Sequence, residues 1–251
     1  RRQRQMCIRD SCLNLEVLDN SGRKHKGVLN GQDLAGWEAT YEAPLTYHYA
    51  GLEIGKCGSW SQGPVQLQTL ALLNEMGVAD WNPVSTDFVH GVTEALKLAF
   101  ADREAYYGDP DFVKVPLKQL LSREYNLERS KEISNRASLE LRPGKISGFE
   151  VRIPEYDASG RGDERFSAMG IGEPTVSKKG ETRGDTCHVD VVDRWGNMVS
   201  ATPSGGWLQS SPVIPELGFC LNSRAQMFWL QEGLPATLAP GKRPRTTLTP
   251  S

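Results

Sequence analysis

Apolar residues recur at helical spacing in two stretches of the first half of the chain. Between Pro64 and Gly77, Val65, Leu67, Leu70, Leu72, Leu73 and Met76 fill so much of the circumference that the helix they predict must be largely buried. Pro64 stands in the first turn, where its missing N–H costs nothing, and Gly77 suits the closing position. A longer helix is predicted from about Ser85 to Tyr107. Phe88, Val89, Val92, Leu96, Ala99, Phe100 and Arg103 recur along it, Ser85 can cap it, and Gly108-Asp109-Pro110 ends it. Leu117 to Ile133 holds another helix or two. Alternation predicts strands instead around Tyr41 to Tyr49 and Leu52 to Ile54, joined by a turn at Gly51, after a short capped helix or turn over Leu29 to Trp37. Far downstream, His188 to Val192 and Met198 to Thr202 are rich in β-branched and small residues, with Asp193-Arg194-Trp195-Gly196-Asn197 as turn chemistry between them. They predict a β-hairpin. Residues 144–184, rich in Gly, Ser, Glu, Arg and Lys, read as a mobile linker leading to it.

Composition narrows the function more than the fold. The 251 residues, 38% hydrophobic, suffice for one large domain or two small ones. With 29 Lys and Arg against 31 Asp and Glu, no nucleic-acid or membrane-surface partner is indicated, and no apolar run reaches the roughly 18 residues of a membrane span. Five irregularly spaced Cys form no CxxC pair, so neither a zinc site nor a disulfide framework is expected. Gly58 to Pro64 meets no phosphate-loop spacing, and Asp109 with Asp111 lacks further acidic neighbours, so no cofactor and no metal is expected. Asp102-Arg103 reads as an ion pair that fixes the following loop. Residues 1–11 carry four Arg without apolar periodicity and read as either a translated adapter or a basic tail; they are set aside from the fold.

The abrupt passage from polar linker to strand at Thr186 is the chemical clue. A Thr in a strand is ordinarily there for β propensity. If the bond between Asp185 and Thr186 were cut, one residue would carry both a hydroxyl nucleophile and an α-amine titrating near pH ~8, a base for its own hydroxyl.

Three blocks carry a family resemblance. Thr186-Cys187-His188, Val191-Val192-Asp193 and Gly196-Asn197 resemble the nucleophile segment of the γ-glutamyltransferases (γ-glutamyl transpeptidases, glutathione hydrolases). Ala101-Asp102-Arg103 with Tyr107 to Pro116, and Arg243-Pro244-Arg245-Thr246-Thr247-Leu248-Thr249-Pro250, are similar to two further segments of that family in the same order. The resemblance covers roughly Val28 to Ser251. It implies an α+β fold, the four-layer αββα sandwich of N-terminal-nucleophile hydrolases. It also implies autocleavage between Asp185 and Thr186 into large- and small-subunit parts, 28–185 and 186–251, that form a heterodimer. Thr186 would form the acyl-enzyme from a small γ-glutamyl or acyl substrate and pass the acyl group to water or an amino acid. Ser204 stands where the family has a Thr that hydrogen-bonds the nucleophile, and His188 would be a structural, hydrogen-bonded residue.

Departures bear on specificity. Gly206 replaces an Asn, Arg224 and Met227 replace the family's ligands for the substrate α-ammonium, and Thr246-Thr247 replaces the Ser-Ser pair for the α-carboxylate. A shift of register would bring Gln226 to the ammonium instead. The alternatives to γ-glutamyl transfer or hydrolysis are a related acylase acting on glutaryl or poly-γ-glutamate chains, or a non-catalytic fragment. The resemblance places the oxyanion-hole glycines and a substrate-pairing Arg outside these 251 residues, so the chain by itself is expected to be inactive. It also suggests a periplasmic or extracellular site, with the export signal upstream; the sequence itself leaves localisation open.

Overall fold

The computed structural model describes residues 16–18, 23–155, 186–204, 213–214, 218–220 and 224–251. Residues 1–11, Asp185, Gly206 and positions 156–185 of the expected linker lie outside the described residues. In chain order the elements are β1 (Glu16–Leu18), β2 (Lys24–Lys26), α1 (Gly31–Gly36), β3 (Leu45–Tyr49), β4 (Leu52–Lys56), α2 (Gly63–Glu75), a 3-10 turn (Val78–Asp80), α3 (Thr86–Tyr106), α4 (Leu117–Leu120), α5 (Arg123–Ser130), β5 (Val189–Val192), β6 (Met198–Ala201), β7 (Val213–Ile214), β8 (Phe219–Cys220) and a 3-10 turn (Arg224–Met227). The described strands form four antiparallel pairs: β1 with β2, β3 with β4, β5 with β6 and β7 with β8. Helices with small sheets are thus present.

The chain divides into two compact units, Arg1–Tyr41 with Asp157–Arg224, and Glu42–Tyr156 with Ala225–Ser251. Each unit therefore combines sequence from both sides of Thr186. The second is built on α2 and α3. α2 is buried nearly all round, as its apolar circumference requires, and Gly77 at φ +69° ends it. Ser85 caps α3 by accepting the Phe88 N–H at 3.1 Å. One core cluster joins Leu72, Leu73, Val78, Ala95 and Leu98; another joins Val65, Ala99, Ala105, Tyr106, Tyr107, Leu120 and Ile146. Gly91 is needed on α3 because a Cβ there would lie 2.4 Å from the Trp81 ring.

Two expectations are corrected in this unit. Asp102 does not pair with Arg103. It is fully buried and accepts from Gln68 Nε2 at 2.6 Å, Tyr125 Oη at 2.8 Å, Gly144 N at 2.6 Å and Arg129 Nη2 at 3.2 Å. Arg103 pairs with Glu104 at 3.0 Å. A buried carboxylate needs several donors at once, and Gln68, Tyr125, Gly144 and Arg129 supply them from outside its own helix. Nor does a loose linker begin at Gly144. Gly144 is tied to Asp102 and accepts from Tyr106 Oη at 2.6 Å, Ile146 is in the core, and Phe149 and Val151 pack against it. The polar composition of the stretch hides these few anchors.

Candidate active site

In the first unit, the hairpin pairs Val189 with Ala201, Asp190 with Ser200, Val191 with Val199 and Val192 with Met198. Its turn closes as the sequence predicts. Asp193 Oδ1 accepts from Trp195 N at 2.8 Å and Asn197 N at 2.9 Å, and Gly196 supplies φ +85°. Beyond the regular ladder, Cys187 N donates to Pro203 O at 3.2 Å and Thr186 forms an isolated antiparallel bridge with Ser204.

Strand alternation then gathers polar side chains in cross-strand pairs. Thr186 Oγ1 lies 2.8 Å from Ser204 Oγ. His188 Nδ1 lies 2.7 Å from Thr202 Oγ1, and its Nε2 lies 2.9 Å from Asp190 Oδ2. An ionised carboxylate only accepts, so Nε2–H donates to Asp190, while Nδ1 meets the Thr202 hydroxyl. A hydrogen bond from Ser200, with the nearby His188, holds the Asp190 carboxyl below its ordinary value. His188 is therefore fixed by two hydrogen bonds. Arg224 reaches the same end of the hairpin, donating from Nη2 to Ser204 Oγ at 3.0 Å.

The second unit holds the other expected site residues. Gln226 is exposed. Thr246 is 5% exposed, its N–H donates to Trp60 O at 2.9 Å, and its Oγ1 accepts from Leu248 N at 3.2 Å. Thr247 is exposed. The Thr246 hydroxyl thus turns onto the backbone two residues on.

Residues 243–251 contain no regular structure, and side chains hold them in place. Arg243 donates to Asp109 Oδ1 from Nε at 3.1 Å and from Nη2 at 2.8 Å, and it also pairs with Glu42. Arg245, 3% exposed, donates from Nη2 to both Glu104 oxygens at 2.7 Å and from Nη1 to Arg103 O at 2.8 Å. Lys56 Nζ donates to Thr249 O at 2.9 Å. Burial alone would raise the Asp109 carboxyl, but hydrogen bonds and charge from Arg243 hold it below its ordinary value. The sequence reading missed these anchors because residues 134–201 positions apart leave no periodic signal. Asp190, Thr202 and Ser200 were also missed, although polar residues at every second position of both strands could have revealed them.

Among the described residues, no three or more His, Cys, Asp or Glu are grouped to hold a metal ion, and no helix is long and apolar enough to cross a membrane. The family model described as Gamma-glutamyltranspeptidase matches residues 16–251. The chain belongs to the γ-glutamyltranspeptidase family. Among its relatives, the glutathione hydrolase proenzyme of Bacillus subtilis subsp. natto is 29% identical over 238 residues, 94% of this chain and 38% of that protein. The acylase ACY 1 proenzyme of Pseudomonas sp. (strain SE83) is 32% identical over 226 residues, 89% of this chain and 35% of that protein. A solved structure of LmbA2991T421A matches at 50% identity with a TM-score of 0.78, covering 98% of this chain and 39% of that one. The chain thus spans about 38% of the length of the curated glutathione hydrolases it matches.

Proposed function

We propose that the complete protein is an N-terminal-nucleophile acyltransferase or hydrolase, in which Thr186 is freed by cleavage of the bond to Asp185. The observation that carries this is the 2.8 Å contact between Thr186 Oγ1 and Ser204 Oγ at the open end of the hairpin. It gives the hydroxyl a fixed partner. In the reaction, Thr186 Oγ attacks the acyl carbonyl while the hydroxyl proton passes to the freed α-amine. The departing amine leaves with that proton, and water or an amino acid then takes the acyl group from the ester. Thr246 and Thr247 enter this reading as the hydroxyls for the acyl carboxylate.

In the complete protein the two parts, 28–185 and 186–251, remain together as a heterodimer of sandwich fold. The half-exposed apolar side chains of Val189, Val191 and Val199 support that fold, because a further layer would cover them.

For the donor, a γ-glutamyl group is the first reading. A glutaryl or poly-γ-glutamate acyl chain is favoured by one observation: a guanidinium, Arg224, stands beside Ser204, where an ammonium would be repelled and a carboxylate held. Mass spectrometry of the complete protein after brief reaction with γ-glutamyl and glutaryl anilides tests both points. An acyl adduct on Thr186 is expected, and the anilide that forms it faster names the donor class. An adduct on any other residue contradicts the assignment of the nucleophile.

A further inference from the structure

A guanidinium has donors only, so the 3.0 Å contact from Arg224 Nη2 occupies one lone pair of Ser204 Oγ. The same oxygen stands 2.8 Å from Thr186 Oγ1. Three side chains from three separate stretches thus form one line, guanidinium to hydroxyl to hydroxyl, within a single unit of the fold. Thr186 Oγ1 donates to that same Ser204 oxygen, so the guanidinium fixes the acceptor that orients the Thr186 hydroxyl.

We propose that Arg224 is a positioning residue for cleavage of the precursor, acting on the Thr186 hydroxyl through Ser204. This rests on the reading of Thr186 as nucleophile. In the step concerned, Thr186 Oγ bonds to the Asp185 carbonyl carbon, the amide C–N bond breaks, and the Thr186 nitrogen takes the hydroxyl proton. Water then hydrolyses the resulting ester to leave a free carboxyl group on Asp185 and a free hydroxyl on Thr186. Until that proton leaves, Ser204 Oγ, held by Arg224, accepts from the Thr186 hydroxyl and keeps it in one orientation for attack. No acyl substrate is present in this step, so an effect of Arg224 on it is separate from any part the residue has in selecting a donor.

The test is the rate of cleavage before Thr186 in the complete precursor, followed on denaturing gels with the new N-terminus sequenced. Loss of a charge-assisted hydrogen bond should slow Arg224→Ala by about ten- to a hundredfold. Arg224→Lys, which keeps a charged donor, should recover most of the rate. If Arg224 acts through Ser204, the Ser204→Ala, Arg224→Ala double variant should be no slower than Ser204→Ala alone. Should Arg224→Ala fail to fold, Lys near the wild-type rate and Gln well below it supports the proposal, and equal rates overturn it. Wild-type rates in Arg224→Ala, or losses that multiply in the double variant, also overturn it while leaving Thr186 as nucleophile. Absence of cleavage before Thr186 in the unaltered precursor removes the nucleophile itself.

Discussion

Two hydroxyls, Thr186 and Ser204, face each other across the end of a hairpin, and two others, Thr246 and Thr247, follow one another in a segment without regular structure. Adjacent residues in such a segment need not be equivalent. Thr246 spends its hydroxyl on the Leu248 N–H and its own N–H on the Trp60 carbonyl, whereas Thr247 is exposed. Substitution should separate them. In the complete enzyme, Thr246→Val should lower thermal stability by about 1 kcal/mol, the usual net worth of one buried hydrogen bond. Thr247→Val should raise KM for the acyl donor about tenfold. The reverse pattern would show that the buried hydroxyl binds the substrate. Residue types were legible here and their burial was not, because Thr-Thr in sequence does not reveal which residue turns inward.

Helices and hairpins followed the sequence closely where one periodicity ruled. The Ser85 cap, Gly77 stop and Asp193 to Asn197 turn are each set by local chemistry, and each appears where predicted. The segment 144–151 was misjudged because a few core contacts from Ile146, Phe149 and Val151 outweigh a polar composition. Residues 243–251 were recognised by resemblance, but what secures them was not. Their hold depends on carboxylates whose acidity is strengthened in the fold. Burial would raise Glu42 and Asp109, yet hydrogen bonding, from Trp60 and Arg243 to Glu42 and from Arg243 to Asp109, brings both below their ordinary values of 4.5 and 3.8. A carboxyl group with a lowered folded pKa stabilises the fold fully above its unfolded value, and that contribution disappears as pH falls through the folded value. Asp109→Asn should therefore cost about 2 kcal/mol at neutral pH, and the gap should close in melts recorded below pH 3.8. A gap that persists unchanged in acid would mean that the ion pair contributes nothing.

At the scale of the whole molecule, the second unit joins residues 42–156 to residues 225–251, and the proposed cleavage falls between those two stretches. Arg243 with Asp109 and Arg245 with Glu104 thus join the parts that cleavage would leave without a covalent link. Sequence resemblance pointed to the family and the family comparison agrees, while the interleaving of the two stretches was not visible from their order in the chain. The central claim is that Thr186 is the nucleophile of both cleavage and acyl transfer. N-terminal sequencing of the complete protein and of its Thr186→Ala variant tests it most directly. The unaltered protein should give two fragments, the smaller beginning at Thr186, and the variant should remain a single chain. A variant that still divides between Asp185 and residue 186 would contradict the claim.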